Sequence, residues 1–559
     1  MTPRLLFVSV LCCAMLIGCG KRSADKDAMA ETAVVAISGD ADNLNPVVAN
    51  TTVASDIASG VYPMMFDVEF DLREGKLKFG PGLVTSWEFA NDGKDVILHI
   101  RKDVRWEDGM PVTTEDIKFS YELYGDPDVA SPRRNYVESM IFTNGKFDID
   151  RSVTIVDDTT MIFHFVKTYP LQLFHLNLSP IPKHVYHNAD RRTLRTNPAN
   201  ERAMGAGPFR LEEWVRQQQI TLVRNGKAAL PYPAKLERVV FRVISEPTTR
   251  LTELKKGTVD LMRPVYPEDV KEIQEKNPDI KLITLPPRNY DYIGWMNIDI
   301  EAYHNKKVIK PHPLFGDRRV RQALTYGIDR RSILREKLQS YGELAVTDFS
   351  PIFRWAINKT LVPYPYDPEK ARQLLRLAGW SDSNGDGILD KGGRNFEFTL
   401  YYNAGNKRRE YVATVVQDNL KQLGIRCKIQ AVENIVLYQN IDEKKYDAFI
   451  DGFSVGLAID PSDRWGDVMN PFNTVGFQNS RIAELLKLGL HVQNEREAGP
   501  FWMEIQSILH QEQPVTFMYW VKEIVGVNRR LKNTNINTLG ITDRMWDWTI
   551  GDPNTAMTQ

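Results

Sequence analysis

A cysteine near the amino terminus is the first residue in this sequence with a recognisable chemical role. Leu16-Ile17-Gly18-Cys19 ends a mostly apolar run from Leu5, and Arg4 is the only charged residue before it. This pattern is typical of a secretory signal with a lipobox, in which the cysteine is acylated after cleavage. A retained transmembrane helix is disfavoured because the run is too short to span a bilayer. We predict a signal peptide at residues 1–18 and lipidation of Cys19; a plain secretory signal is the alternative.

Oxygen-bearing side chains at alternating positions form a second candidate chemical site. Residues 382–390 read DSNGDGILD. The candidate oxygen ligands are Asp382, Asn384, Asp386 and Asp390. This spacing resembles a calcium loop, but Gly393 stands where such a loop carries its bidentate carboxylate. We therefore expect a surface turn without a metal and keep calcium as the weaker alternative.

Composition and charge exclude several function classes. The formal net charge is −1, and removal of Arg4 makes it −2, which argues against nucleic acid as a partner. Cys427 is the only other cysteine left in the mature chain, so an intrachain disulfide is not expected. His184 and His187 are close in sequence but lack a clear metal-ligand spacing, and we expect no cofactor. The sequence has no H-E-x-x-H motif and no evident pairing of nucleophile and base, so we expect no catalysis.

The elements that would position these residues are distributed over more than one packing unit. Removing the signal leaves 541 residues, which indicates two or three cores. The polar residues 19–31 predict a flexible linker, followed by a first strand at Val34–Ile37. Thr113 and Asp116 have capping-box spacing and predict a helix within a mainly β region that extends to about Phe165.

The second half of the chain has an α/β pattern. Asp317, Asp329 and Asp367 each precede a predicted helix. The predicted strand–helix–strand unit and the two later helices are Phe396–Tyr402, Arg409–Leu423, Ile425–Gln430, Arg481–His491 and Glu495–Leu509. A strand–helix–strand unit favours a right-handed crossover and a parallel strand pair.

Several short motifs occur in a recognisable order along the chain. They include Asn43-Leu44-Asn45-Pro46, Gly82 to Glu88 followed by Asp92-Gly93-Lys94, Leu98 to Thr113, Gly205 to Phe209, Leu254 to Asp260, and Arg318 to Leu324 followed by Ile328-Asp329-Arg330. In these motifs the chain resembles the extracellular solute-binding proteins of ABC importers, of the peptide/nickel/opine type. The motifs are mostly scaffold, so they indicate the fold and not the ligand.

The resemblance implies a two-lobed α/β fold of the oligopeptide-binding type, hinged, with an extra β-rich subdomain on lobe I. The implied boundaries are residues 32–290 for lobe I, including a subdomain at about 67–204, residues 291–512 for lobe II, and residues 513–559 for the return to lobe I. The two crossings between the lobes are expected near Pro286–Tyr292 and Pro514–Trp520. A ligand would lie between the lobes and hold them closed.

The resemblance also implies which residues line the cleft. The candidates are Tyr62, Tyr290, Tyr292, Trp295, Phe453, Tyr519 and Trp520. The alternative is that each aromatic is a core or hinge residue. Peptide binders of this type fix the peptide amino terminus with an aspartate, but this chain has Gly456 or Leu457 there. This departure disfavours the usual capture of a peptide terminus. Asp460 is the candidate for that role from a shifted position, and a turn or helix-cap residue before Pro461 is the favoured alternative.

These observations predict a lipid-anchored receptor of the cell envelope that performs no chemistry. It would bind an oligopeptide or a solute of similar size and pass it to an ABC permease and ATPase complex. We expect a monomer in an extracytoplasmic location, attached to the membrane through its lipid. A sensor or adhesin with the same cleft is the alternative, and an envelope hydrolase is a third, less favoured one.

Overall fold

The computed structural model describes residues 31–306, 308–468, 470–492 and 494–552. The predicted signal peptide, Cys19 and nearly all of the linker lie outside this range. Among the described residues, no helix is both long and apolar enough to cross a bilayer.

Strands and helices are interspersed along the described chain. The strands are β1 Thr32–Ile37, β2 Phe66–Asp71, β3 Lys76–Pro81, β4 Val84–Ala90, β5 Asp95–Ile100, β6 Phe142–Thr143, β7 Lys146–Phe147, β8 Val153–Asp157, β9 Thr160–His164, β10 Phe209–Val215, β11 Gln219–Arg224, β12 Arg238–Val243, β13 Leu261–Val265, β14 Ile280–Thr284, β15 Asn289–Trp295, β16 Gly342–Leu344, β17 Asp390–Lys391, β18 Arg394–Asn395, β19 Glu397–Asn403, β20 Arg426–Val432, β21 Ala448–Ser454, β22 Val515–Val521, β23 Ile524–Asn528, β24 Leu531–Lys532 and β25 Thr549–Ile550. The α-helices are α1 Thr52–Val61, α2 Thr114–Gly125, α3 Ile149–Ser152, α4 Gln172–His175, α5 Lys183–Tyr186, α6 Pro247–Lys256, α7 Pro267–Lys276, α8 Ile300–Lys306, α9 Arg318–Gly327, α10 Arg330–Lys337, α11 Pro368–Leu377, α12 Lys407–Lys421, α13 Asn434–Asp442, α14 Ser462–Trp465, α15 Ser480–Gly489 and α16 Glu495–Glu512.

Two mixed sheets divide the molecule into two lobes. The sheet of lobe I has the order β10-β11-β12-β1-β13-β23-β14, and the sheet of lobe II has the order β16-β22-β15-β21-β19-β20. In lobe I, β1 pairs in parallel with β12 and β13, while in lobe II, β19 pairs in parallel with β20 and β21. This arrangement confirms the expected two-lobed α/β fold.

The inserted part of lobe I contains a smaller antiparallel sheet of order β4-β5-β9-β8. The helix Thr114–Gly125 begins at Thr113, whose hydroxyl accepts from the Asp116 amide while the Asp116 carboxylate accepts from the Thr113 amide. This reciprocal cap satisfies backbone donors that a helix otherwise leaves free. The predicted capping box is therefore confirmed.

Local chemistry also fixes the helices of lobe II. Asp317, Asp329 and Asp367 each accept a backbone hydrogen bond at the start of the helix they precede. Strand β19, helix Lys407–Lys421 and strand β20 form the predicted strand–helix–strand unit with parallel pairing. These predictions are confirmed, with element ends shifted by a few residues.

The two crossings between the lobes lie side by side. The first crossing is the segment 285–288 between β14 and β15, which overlaps the start of the predicted region Pro286–Tyr292. The second is residues 522–523, between β22 and β23. The prediction of a second crossing at Pro514–Trp520 is wrong because Val515–Val521 pairs with β15 in the lobe II sheet. The expected return to lobe I at residue 513 is therefore too early.

A buried ion pair joins the two chain ends within lobe I. Asp260 has no exposed side-chain surface, and its carboxylate accepts from Arg530 Nε at 2.5 Å and Nη2 at 2.7 Å. The same carboxylate accepts from the backbone amide of Val34 in β1 at 2.8 Å. Asp260 therefore links the first strand, the start of β13 and the segment after β23.

We predict that Asp260→Asn lowers the free energy of unfolding by about 3 kcal/mol, because it removes the charge of a fully buried carboxylate that pairs with Arg530. Urea unfolding followed by circular dichroism measures this. The matched control is Asp150→Asn, since Asp150 is 86% exposed in its pair with Lys118, and it should change stability by less than about 0.5 kcal/mol. Equal effects of the two substitutions would contradict the assignment.

Candidate ligand-binding site

A two-stranded ribbon connects the lobes. Strands β14 and β23 pair antiparallel up to Thr284 opposite Ile524, and β15 and β22 pair antiparallel from Asn289 opposite Val521. Between them, the Leu285 amide donates to the Glu523 carbonyl at 2.8 Å. Both crossings therefore belong to one continuous ribbon, which is the geometry of a hinge.

Arg288 donates hydrogen bonds from the first crossing to both lobes. Its Nε and Nη2 donate to the Val455 carbonyl in lobe II at 3.0 and 2.9 Å. Its Nη1 donates to the Thr538 carbonyl in lobe I at 2.9 Å. One guanidinium thus connects the first crossing to both lobes. No sequence motif had marked Arg288 as important.

The lobes touch away from the hinge as well. Trp355 of lobe II donates from Nε1 to the Gly75 carbonyl of lobe I at 2.9 Å. Gly75 has φ of +73°, and a Cβ there would lie 2.4 Å from the Ile352 carbonyl oxygen, so glycine permits this close approach. Lys167 of lobe I contacts His491 of lobe II. These contacts define a closed arrangement of the lobes.

An interlobe cavity remains within this closed arrangement. Its empty volume is about 260 Å³, counting space open to solvent. Pro170 and Leu171 line it from lobe I, and Trp355, Ile459 and Trp502 line it from lobe II. A solute in this space would contact both lobes.

A second cavity, here named the aromatic pocket, lies within lobe II beside the hinge. Its lining residues are Tyr290, Tyr292, Phe453, Arg464, Trp465, Phe472, Thr474, Val475 and Val515. The ring centroids of Tyr290 and Phe453 are 6.4 Å apart, and those of Phe453 and Phe472 are 5.9 Å apart. The Arg464 guanidinium lies 4.6 Å from the Phe453 ring centre. The structure thus brings together three predicted cleft residues, Tyr290, Tyr292 and Phe453.

The Arg464 charge is balanced inside lobe II. Its Nε donates to Asp348 Oδ2 at 2.6 Å, and Trp465 Nε1 donates to the same oxygen at 2.8 Å. Asp348 has no exposed side-chain surface. No sequence pattern marked Arg464, Phe472 or Thr474, which come from segments that lie apart from the predicted crossings.

A cluster of buried charged residues surrounds Asp291, which lies between Tyr290 and Tyr292 in β15. Asp291 accepts from Arg408 Nε at 2.9 Å and from the Tyr519 hydroxyl at 3.1 Å, and Arg409 pairs with both Asp291 and Asp451. Burial acts to raise the pKa of Asp291, but the charges of Arg408 and Arg409 outweigh it and lower that pKa. Burial raises the pKa of Asp451, although Arg409 opposes the shift. Tyr519 therefore holds an ionised carboxylate in place.

The remaining predicted aromatics lie in the cores. Tyr62 is packed in the lobe I core, and its hydroxyl has no hydrogen-bond partner among the described residues. Trp295 is fully buried in lobe II, where its Nε1 donates to Thr516 Oγ1 at 2.9 Å. Trp520 packs 5.0 Å from the Tyr290 ring. Ligand contact by Tyr62, Trp295, Tyr519 and Trp520 stays a prediction.

Asp460 is exposed and lies near lobe I. Its Oδ1 accepts from the Ser462 amide at 3.0 Å, so it completes the turn that precedes helix Ser462–Trp465. Burial lowers the pKa of His175 in lobe I to about 4, and the nearby charge of Asp460 acts in the opposite direction. Asp460 therefore has the turn role and lies close enough for its charge to act on lobe I.

The side-chain oxygens of the predicted calcium loop accept hydrogen bonds from backbone amides of the same loop. Asp382 accepts from the amides of Gly385 and Gly387 at 2.7 and 2.9 Å. Asp390 accepts from the Ser383 amide at 2.8 Å. Such bonds are those of a surface turn with carboxylate-capped amides, and calcium binding there stays untested.

One sequence feature escaped the sequence analysis. Gly452–Gly456 has the G-x-S-x-G spacing of a hydrolase nucleophile elbow, which requires a strained strand-to-helix turn at the serine. Ser454 is the last residue of β21 and does not have a positive φ, and the next helix begins at Ser462. The local geometry is therefore not that of an elbow.

This chain belongs to the bacterial extracellular solute-binding proteins, family 5, whose middle-region sequence model matches residues 78–470. It is 30% identical over 525 residues to the oligopeptide-binding protein AppA of Bacillus subtilis, covering 92% of this chain and 90% of that protein. It is 26% identical over 470 residues to heme-binding protein A of Haemophilus influenzae, covering 80% and 79%. The structure of Bacillus subtilis AppA with a nonapeptide superposes with a TM-score of 0.73 at 28% identity, covering 93% of this chain and 99% of AppA. The expected family and fold are confirmed.

We predict that Tyr519→Phe lowers the free energy of unfolding by about 1.5 to 3 kcal/mol, the range for a hydrogen bond to a charged group. The physical reason is the loss of the hydroxyl donor to Asp291. Denaturant unfolding measures the change. Tyr266→Phe is the matched control, since Tyr266 is 40% exposed; if both variants are as stable as the parent, the Tyr519 assignment is wrong.

Proposed function

We propose that this protein is a lipid-anchored receptor that captures an oligopeptide between its lobes and delivers it to an ABC permease. The observation that carries the proposal is the hinge ribbon between two lobes that enclose a cavity lined from both sides. A ligand that contacts both lobes favours the closed state by its differential affinity. The receptor itself performs no chemistry.

The oligopeptide class is supported by a relative that matches 92% of the chain. AppA is named as an oligopeptide-binding protein, and its structure contains a nonapeptide. Contacts of Trp355 with Gly75 and of Lys167 with His491 close the lobes over the interlobe cavity. An oligopeptide therefore enters only when the lobes separate further, and the hinge ribbon permits that movement.

We further propose that Asp460 binds the amino terminus of the peptide. Its carboxylate is exposed, and its charge acts on the pKa values of Tyr169 and His175 in lobe I. An ammonium group in the space between the lobes would lose hydration unless a carboxylate paired with it. The monomeric receptor then docks on its permease and ATPase complex while Cys19 keeps it at the membrane.

The proposed function is tested by peptide capture. The protein is unfolded in denaturant to remove bound solute, refolded, mixed with a casein digest and separated by gel filtration. Mass spectrometry of the protein fraction should then detect retained peptides, and X-ray scattering should show a more compact particle with peptide than without. Retention of sugars or metal chelates from parallel mixtures, with no peptide retained, would refute the oligopeptide assignment.

We predict that Asp460→Asn weakens binding of a captured peptide at least about tenfold, as expected for loss of one charged contact. Calorimetry should show this loss for the free peptide and little further loss for its amino-acetylated form. Asp418→Asn, an exposed change on the lobe II helix Lys407–Lys421, is the matched control. If Asp460→Asn and Asp418→Asn bind alike, Asp460 is only a turn residue.

We predict that Cys19→Ser releases the protein from the membrane fraction, because a chain without acyl groups loses the apolar anchor. Detergent phase partitioning of cell lysates measures the effect. Cys427→Ser is the control, since Cys427 is buried in lobe II, and it should stay with the membrane. Membrane retention of Cys19→Ser would contradict the anchor.

A further inference from the structure

We propose that the β2–β3 hairpin is a latch that holds the two lobes closed when no solute is bound. The hairpin consists of Phe66–Asp71 and Lys76–Pro81, paired antiparallel, with a turn at residues 72–75. Its base is fixed to lobe I, and its tip inserts into lobe II. The latch acts in the empty receptor, so it goes beyond the capture of a peptide and does not depend on the identity of the solute.

Hydrogen bonds and aromatic packing fix the base of the hairpin to lobe I. Phe66 packs in the lobe I core, where its ring lies 5.2 Å from that of Trp87. The Phe66 amide donates to Asn177 Oδ1 at 3.0 Å. Arg544 Nη2 donates to Asp67 Oδ2 at 2.7 Å. The base therefore moves with lobe I when the lobes change their angle.

The tip of the same hairpin packs in a core of lobe II. Phe70 is buried in a cluster whose other members come from lobe II, and its ring lies 6.1 Å from that of Phe353. Leu77, opposite Phe70 in the hairpin, packs against the same cluster. Val68 and Phe79, a cross-strand pair nearer the base, pack instead against the lobe I core. The apolar side chains of one hairpin are thus divided between the two lobes.

The turn of the hairpin approaches the lobe II backbone too closely for a side chain to fit between them. Gly75 has a φ of +73°, and a Cβ there would lie 2.4 Å from the Ile352 carbonyl oxygen and 2.6 Å from the Arg354 amide nitrogen. The Gly75 carbonyl accepts from Trp355 Nε1 at 2.9 Å. Because the partners belong to different lobes, this contact exists only when the lobes are closed.

Hydrogen bonds within the tip maintain its shape independently of lobe II. Asp71 Oδ1 accepts from the amides of Arg73 and Glu74 at 2.8 and 3.1 Å. The Gly75 amide donates to the Asp71 carbonyl at 2.6 Å. A tip that is already folded loses little conformational freedom when it docks. Burial of its apolar side chains in lobe II therefore favours the closed state.

Trp355 connects the latch to the space between the lobes. Its indole nitrogen binds the hairpin, and the residue also lines the interlobe cavity. Glu495 lines the same cavity, and the charge of Lys76 in the hairpin opposes the burial that raises the pKa of Glu495. All of these contacts join two parts of the protein itself, so closure by the latch does not need a solute. An oligopeptide enters only after the tip has left lobe II.

Gly75→Ala tests the latch, because the added methyl group meets lobe II only in the closed state. Gly145→Ala is the matched control. Gly145 has a φ of +77° in the turn between β6 and β7, and a Cβ there would meet no heavy atom of the described residues within 4 Å beyond its chain neighbours. Both substitutions carry a similar backbone strain, and only Gly75→Ala introduces a clash between the lobes.

Pulsed electron resonance measures the interlobe distance in protein that has been unfolded to remove solute and then refolded. Nitroxide labels are attached at Val166→Cys in lobe I and Leu488→Cys in lobe II, which are 57% and 42% exposed. These positions lie beside the contact between Lys167 and His491, so opening of the lobes increases their separation. Burial raises the pKa of the Cys427 thiol to about 12, so that cysteine competes little for the label.

The parent protein should show mainly the short distance of the closed state without solute. Gly75→Ala and Phe70→Ala should each lower the ratio of closed to open molecules at least about tenfold. Gly145→Ala should leave the ratio unchanged, as should Phe89→Ala, which truncates a 52% exposed ring in lobe I. Circular dichroism confirms that each variant is folded.

Two results would overturn the latch. If Gly75→Ala and Phe70→Ala keep the short distance of the parent, the hairpin only packs against lobe II and does not hold the lobes together. If the parent itself is mostly open without solute, the contacts of the tip are too weak to close the lobes. Neither result depends on peptide capture, so the latch and the proposed function can fail separately.

Discussion

The pairing of both crossings in one ribbon is the constraint on which the rest of the molecule depends. Strands β14 and β23 continue into β15 and β22 with a backbone hydrogen bond between the crossings. A paired ribbon can bend, while sliding of one strand past the other would break its hydrogen bonds. Arg288 adds bonds to carbonyls of both lobes. The lobes can thus change their angle without losing their alignment.

Alternate side chains of β15 lie on opposite faces of the lobe II sheet and pack into different cores. Tyr290 and Tyr292 pack with Phe449, Phe517 and Trp520, whereas Ile293 and Trp295 pack in the opposite core with Tyr519. Asp291 lies between the two tyrosines and is held by arginines. Strand β15 therefore supplies two aromatic side chains beside the hinge and, on its other face, the buried carboxylate of Asp291.

Local signals in the sequence predicted much of the fold. Helix caps at Asp317 and Asp329 and the parallel pairing of β19 with β20 depend on neighbouring residues, and each is confirmed. The second crossing depends instead on which strand β22 pairs with, and that contact is distant in sequence. Contacts that are distant in sequence also determine the site. The period of two in β15 places Tyr292 and Trp295 on opposite faces of the sheet, but no local sequence pattern marks Phe472 or Arg464 as lining residues.

The place of β23 in lobe I affects how the chain can fold. Residues 524–528 lie between β13 and β14, so the lobe I sheet lacks an interior strand until the last part of the chain is present. The lobe II sheet in turn has β22, residues 515–521, as an interior strand between β16 and β15. During synthesis, both sheets therefore wait for the segment 515–528 before either core can close.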